Sequence, residues 1–194
     1  MDILLTFAGN RDPFNPEIIR GINSDGPVLT LLGERHFQWI YIFTTPNTLT
    51  NARNLQDEIA GRMSDVETGI LNIDILDPTD YENLFLHMNR LCQDIMGKHK
   101  NEQPSYSIAT ASGTPQMQTI WFLLSRSGLI PATLLKITPP RFLRPRQKAV
   151  SEIHLPLDNF PLISSPALEN LDYVVTLLRK EQSYTSGRAG GLNV

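Results

Sequence analysis

A short polar stretch in the middle of the chain, ASGTPQM from Ala111 to Met117, combines residue types that suit anion binding. It leads from the strand-like run YSIAT into the helix-like run QTIWFLLSRSG. A helix that begins there exposes free backbone N–H groups and the positive end of its dipole, and Gly113 lets another molecule approach the backbone closely. The pattern predicts an anion site. The same residues also suit a plain helix start, with Ser112 or Thr114 as the cap and Pro115 in the first turn.

Two further polar loops follow predicted strands, FAGNRDPF after the first strand and FTTPNT after the second. In the second loop Thr44-Thr45-Pro46 again places hydroxyl residues before a proline at a helix start. Ligands of open α/β sheets bind outside the carboxyl ends of the strands, so we expect these loops to meet at one crevice. Two helix N-termini at one crevice suit a ligand with more than one phosphate. Lys136, near the end of a later predicted strand, is placed to point its ammonium group toward the same crevice.

Other chemistries find no support in the sequence. Neither the Gly-x-Gly-x-x-Gly fingerprint of dinucleotide enzymes nor a phosphate loop ending in Gly-Lys-Ser/Thr is present. Gly-x-Ser-x-Gly is absent, and Cys92 lies on the apolar face of a predicted helix, where we expect a packed thiol. The histidines are scattered, so we predict neither a metal site nor a cofactor; they are His36, His87, His99 and His154.

The elements that must position these loops alternate along the chain. Apolar runs predict five buried strands, DILLTFA, FQWIYIFTT, GILNIDIL, YSIAT and LIPATLLKI. Helical spacing of apolar residues follows the second, third and fourth strands, and Thr79 and Glu82 are spaced as a capping box for the middle helix. Strands that alternate with helices predict a Rossmann-like α/β fold, a mostly parallel sheet with helices on both faces.

The pattern changes after Ile137. The proline-rich and basic stretch TPPRFLRPRQK is either a solvated loop or an anion clamp, and AVSEIHL is predicted to be the second arm of an edge hairpin. We expect a ligand-binding domain over residues 1–160, a C-terminal helix over 161–183 and a linker or tail over 184–194.

Composition bounds the setting of the protein. With 194 residues and 41% hydrophobic residues the chain can build a substantial core, and its single cysteine cannot form an internal disulfide. No signal peptide or membrane-length apolar run is present, so we expect a cytoplasmic protein with no membrane contact. A formal net charge of −3 disfavours direct binding of duplex DNA, so any anion must be held locally.

The ordered set LLTFAGNRDPF, GPVLTLL, IYIFTTPNT, ATASGTPQMQTIWFLL and LLKITPPRF resembles the CARF family, the CRISPR-associated Rossmann-fold domains that sense cyclic oligoadenylates. The resemblance covers roughly residues 1–160. Its most specific element is the loop Ser112-Gly113-Thr114, which lacks the second glycine of the family pattern. Within that family the chain is similar to sensor domains placed before sigma-54-type regulators, with VSEIHL from Val150 to Leu155 as the matching strand.

The resemblance implies a two-fold homodimer that binds a cyclic oligoadenylate, and cyclic tetra-adenylate is the ring that we expect. It also implies that the domain signals to an output domain beyond the C-terminal linker. The residues expected to contact the ligand come from the three loops and the last strand: Ala8, Gly9, Asn10, Arg11, Asp12, Thr44, Thr45, Asn47, Ser112, Gly113, Thr114, Pro115, Gln116 and Lys136.

Three alternatives stay open at this point. Some CARF domains are ring nucleases, and this chain offers polar groups for such cleavage by orientation and hydrogen bonding, namely Asn10, Arg11, Thr45, Ser112 and Lys136. In the second alternative, the domain senses another RNA-derived nucleotide and controls transcription in response. The third alternative is a protein–protein module that uses the predicted helix from Ser165 to Gln182.

Overall fold

The computed structural model describes residues 1–19, 22–75, 77–139 and 142–154. Two compact units divide the chain, Met1–Pro156 and Leu157–Val194, and the described residues all lie in the first. The predicted C-terminal helix and the predicted linker lie outside the described residues.

The first unit is built on a six-stranded sheet. Its strands are β1 (Asp2–Phe7), β4 (Trp39–Thr44), β5 (Glu67–Asn72), β6 (Ser105–Ala109), β7 (Ala132–Ile137) and β8 (Val150–Glu152). They lie in the order β5-β4-β1-β6-β7-β8. All neighbours are parallel except β7 and β8, which are antiparallel. Both the Rossmann-like fold and the edge hairpin are therefore confirmed. Strand β1 is central because its apolar run can be buried on both faces.

Helices cover both faces of this sheet. On one face α3 (Tyr81–His99) and α4 (Pro115–Arg126) pack on Ile3, Leu5 and Phe7. On the other face α1 (Pro27–Leu32) and α2 (Leu49–Arg62) pack on Leu4 and Ala8. The predicted apolar stripe of α4 is confirmed, since all four of its members are buried: Met117, Ile120, Trp121 and Leu124.

Two local features differ from the sequence analysis or add to it. A two-stranded antiparallel sheet, β2 (Phe14–Ile19) and β3 (Ile22–Asp25), interrupts the path from β1 to α1, where no element is predicted. The prediction of a Thr79–Glu82 capping box is wrong. Asp80 caps α3, because its carboxylate accepts a hydrogen bond from Asn83 N at 3.1 Å, while the Thr79 hydroxyl donates to Asp77.

Among the residues that the structure describes, no helix has both the length and the apolar character needed to span a bilayer.

Candidate functional site

A cavity of about 620 Å³ opens where β1, β4, β6 and β7 end. We call it the strand-end cavity. Its walls come from the loop after β1, the start of α1, the turn before α2, the loop between β6 and α4, and the segment after β7. This is the edge of an open α/β sheet at which ligands bind, and the volume lies in the range of small-molecule sites. The expectation that the three polar loops converge is therefore met in the geometry of the fold.

Asp12 ties two of these loops together from beneath the cavity. Its side chain is 2% exposed. Oδ2 accepts hydrogen bonds from the Ser112 hydroxyl at 2.7 Å and from Gly9 N at 3.0 Å, and Oδ1 accepts one from Val28 N at 3.1 Å. Burial raises the pKa of Asp12, and these three hydrogen bonds act in the opposite direction. A single carboxylate therefore joins the loop after β1, the loop before α4 and the first turn of α1.

A second side chain fixes the same loop from the side of α2. Asn51 Nδ2 donates to the carbonyl oxygens of Gly9 at 3.2 Å and Asp12 at 2.9 Å. The loop also packs closely against Gly26, before α1, since a Cβ built there would lie 2.1 Å from the Arg11 carbonyl oxygen. The loop after β1 is thus held by internal contacts at both its ends.

The opening of α4 has a capped helix start, one of the two interpretations that the sequence left open. Thr114 is the helix cap, because its hydroxyl accepts a hydrogen bond from Met117 N at 3.3 Å. Ser112 is not a cap, since its hydroxyl is bound to Asp12. Gly113 has φ of +94°, and a Cβ there would lie 3.1 Å from Met117 Sδ and 3.3 Å from Phe7. Glycine is therefore required at this position by the fold itself.

Backbone donors remain unused at this helix start. Among the residues that the structure describes, no acceptor binds the N–H groups of Ala111, Ser112 or Gly113. All three residues line the strand-end cavity. Consecutive free N–H groups before a helix N-terminus are the basis of an anion site.

The turn before α2 is closed by its own hydroxyls. Thr45 N donates to Thr48 Oγ1 at 3.2 Å, and the hydroxyls of Thr44 and Thr48 lie 2.9 Å apart. Thr44 is fully buried, whereas Asn47 is exposed and lines the cavity. Of the residues with which this turn lines the cavity, Asn47 is therefore the exposed one, while the hydroxyls of Thr45 and Thr48 are bound within the turn.

The structure separates the predicted site residues into two groups. Nine line the strand-end cavity: Ala8, Gly9, Asn10, Arg11, Thr45, Asn47, Ser112, Gly113 and Thr114. Five lie outside its lining: Asp12, Thr44, Pro115, Gln116 and Lys136. Asp12 and Thr44 lie beneath the loops, and Lys136 lines a neighbouring groove instead of the cavity.

One wall of the cavity is absent from the sequence prediction. Asn15, Asp25, Pro27 and Thr30 line it from β2, β3 and α1. The only sequence signal for that wall is Gly26-Pro27, a typical helix start. The charged side chains among the described lining residues are Arg11 and Asp25, so the cavity depends mainly on neutral polar groups and backbone donors.

Sequence comparison relates the chain to a group of regulators. The RtcR family, described as regulator of RNA terminal phosphate cyclase, matches residues 33–177. The transcriptional regulatory protein RtcR of Escherichia coli (strain K12) is 27% identical over 127 residues, which cover 64% of this chain and 24% of that regulator. The chain thus matches about a quarter of the length of this curated relative.

Comparison with solved structures extends the likeness to the fold. Csm6 of Enterococcus italicus, bound to cyclic hexa-2'-fluoro-hexa-dAMP, matches with a TM-score of 0.66 and 16% identity, over 80% of this chain and 41% of that chain. Can2 of Sulfobacillus thermosulfidooxidans, in complex with cyclic tetra-adenylate, matches with a TM-score of 0.46 and 16% identity, over 69% of this chain and 31% of that chain. The likeness to Csm6 confirms the expected resemblance to CARF domains at the level of the fold.

Proposed function

We propose that this chain, which belongs to the RtcR family of regulators of RNA terminal phosphate cyclase, carries a ligand-sensing domain over residues 1–160 that binds a cyclic oligoadenylate. Cyclic tetra-adenylate is the expected ring, and binding controls transcription through the segment that follows. The observation that carries the proposal is the strand-end cavity, where unused backbone donors line a ligand-sized space.

The donors of this cavity suit phosphate oxygens. Three consecutive N–H groups, from Ala111 to Gly113, have no acceptor among the described residues, and the helix that follows adds the positive end of its dipole. Arg11 is exposed, lines the same cavity and supplies a full positive charge. Charge-assisted hydrogen bonds from a guanidinium to phosphate are stronger than neutral ones.

The size of the cavity supports a shared site. About 620 Å³ suits a ligand of drug size, and a ring of four nucleotides is larger. Each protomer of a two-fold homodimer would therefore hold half of the ring. A symmetric ring presents the same phosphate pattern to both protomers, so one set of loops used twice completes the site.

A second candidate is another RNA-derived nucleotide that uses the same cavity. The observation that favours it is the family match, since the family is described as regulator of RNA terminal phosphate cyclase, an enzyme named for an RNA end. A linear oligoadenylate with a terminal phosphate offers the same anionic groups to the backbone donors of the cavity. Competition between linear and cyclic probes of equal length separates the two candidates.

Titration calorimetry of the purified protein against cyclic tri-, tetra- and hexa-adenylate tests the proposal, with linear tetra-adenylate as the competitor. We expect one ring per two chains, and about a ten-fold weaker affinity for Arg11→Gln, since a hydrogen bond to a charged group contributes about 1.5–3 kcal/mol before solvent screening. Arg90→Gln is the matched control, because Arg90 is an exposed arginine of α3 that does not line the cavity. If the folded protein gives no heat and shows no binding with any of the rings, the proposal is refuted.

The recovered ligand answers whether the ring is also cleaved. Chromatography of the ring after prolonged incubation is expected to return it whole. Cleavage products would instead point to ring nuclease activity by the polar groups that line the cavity, among them Asn10, Arg11 and Thr45.

A further inference from the structure

A second concave surface lies beside the strand-end cavity and shares one residue with it, Thr138. Its described lining contains three cations and no carboxylate. We call it the basic groove; it is lined chiefly by Lys136, Thr138, Phe142, Arg144, Arg146 and Gln147. Two arginines of this lining, Arg144 and Arg146, belong to the basic stretch for which the sequence left open a solvated loop or an anion clamp.

The three cations of the groove have no counterion among the residues that the structure describes. Lys136, Arg144 and Arg146 are exposed, and none forms an ion pair within the part of the chain that the structure describes. By contrast, Arg35 and Arg62 both bind carboxylates, at 2.9 Å and 3.0 Å. Like charges gathered in one groove repel each other, so an anion bound among them lowers the electrostatic free energy.

Local contacts hold the backbone that carries these cations. Lys136 lies in β7 opposite Ser151 of β8. The connection between the two strands is shaped by Gln147, whose side-chain oxygen accepts from Arg144 N at 3.1 Å and whose own N–H donates to the Arg144 carbonyl at 3.0 Å. Thr138 N donates to Ala149 O at 2.8 Å, which fixes the groove at the end of β7.

We propose that the basic groove is a second phosphate site, which binds a phosphodiester group of the nucleotide ligand where the ligand passes over the end of β7. The inference rests on the proposed function, because the strand-end cavity and the groove meet at Thr138. Phe142, which is 64% exposed, adds an aromatic surface on which a base can stack. The phosphodiester belongs either to the bound ring or to a linear strand that leaves the cavity.

The test measures how binding depends on salt. Binding constants of the whole chain for cyclic tetra-adenylate and for linear octa-adenylate are measured across a salt series, for wild type and for the double variant R144Q/R146Q. Each lost phosphate contact makes the negative slope of log K against log salt shallower by about 0.7, so two lost contacts make it shallower by about 1.4. The loss of affinity in the double variant is then about 25-fold larger at about 0.1 M salt than at about 1 M salt.

Lys148→Gln is the matched control, because Lys148 is an exposed cation of the same connection that does not line the groove. We expect it to bind both probes like wild type. A loss by the double variant with the ring assigns the groove to phosphates of the ring, and a loss with the linear probe alone assigns it to a strand. Unchanged affinity and slope in the double variant, while wild type binds, overturn the inference and leave the proposed function standing. If wild type binds neither probe, the proposed function fails and the inference with it.

Discussion

Asp12 is the residue whose removal should change the candidate site most. Its carboxylate accepts three hydrogen bonds, from Ser112, Gly9 and Val28, and it is 2% exposed. A hydrogen bond to a charged group contributes about 1.5–3 kcal/mol, and relief of the buried charge offsets part of the loss. We expect Asp12→Ala to lower the free energy of unfolding by about 3–5 kcal/mol, because three backbone and side-chain donors lose their acceptor.

A double-mutant cycle isolates the shortest of these contacts. Ser112→Ala alone should cost about 1.5–3 kcal/mol, since it removes the 2.7 Å bond to Asp12. In the background of Asp12→Ala the same substitution should cost little, which gives a coupling energy of about 1.5–3 kcal/mol. Urea unfolding at neutral pH, analysed by linear extrapolation, gives the free energy of unfolding of wild type, both single variants and the double variant. A coupling energy below about 0.5 kcal/mol, the level of additive sites, would refute the structural role given to Asp12.

The same residue predicts a pH dependence with a definite sign. Burial raises the pKa of Asp12 in the folded protein above its ordinary value of 3.8, so the folded state holds its proton to higher pH than the unfolded state. Stability relative to Asp12→Asn is therefore greatest below that value and falls as pH rises through the raised pKa. Ser112→Ala removes a bond that lowers this pKa, so the fall should extend to higher pH.

Further predictions test the packing around the site and in the core. Gly26→Ala should destabilise the protein by about 3 kcal/mol or more in urea unfolding, because its Cβ would lie 2.1 Å from the Arg11 carbonyl oxygen. Gly113→Ala should lower the free energy of unfolding by about 1–3 kcal/mol, because φ is +94° at this position. Gly61→Ala should instead stabilise α2 by about 0.5–1 kcal/mol, because a Cβ there meets nothing within 4 Å. Equal effects of the two substitutions would contradict the requirement for glycine at position 113. Burial raises the pKa of the Cys92 thiol, so iodoacetamide should label it only after unfolding; rapid labelling of native protein would contradict its burial.

The sheet could be predicted from the sequence because its strands are short apolar runs that are buried on both faces. Their alternation with helical patterns leaves few arrangements other than a mostly parallel sheet. The segment from Phe14 to Leu32 gave no such signal. Within the described part of the chain, strands β2 and β3 pair only with each other, and α1 has six residues, which is too short for a clear helical period.

The candidate site was predictable in outline because each loop follows a strand whose carboxyl end lies at the same edge. Which side chains reach the cavity was not, since that depends on tertiary hydrogen bonds. Asp12 and Ser112 are 100 residues apart in sequence, and no local pattern announces that one binds the other. Lys136 follows the same rule, because its place beside the arginines is set by the pairing of β7 with β8.

The hydroxyl residues that first suggested an anion site are mostly engaged within the protein itself. Thr114 caps α4 and also donates to the Pro78 carbonyl at 3.2 Å, and the hydroxyl of Ser112 donates to Asp12. These bonds hold the backbone of the loop in one shape, while the N–H groups from Ala111 to Gly113 have no acceptor among the described residues. A ligand that binds those donors then meets a loop that is already ordered, so little conformational entropy is lost on binding. The side chains build the site, and the backbone is the part of it best suited to bind the anion.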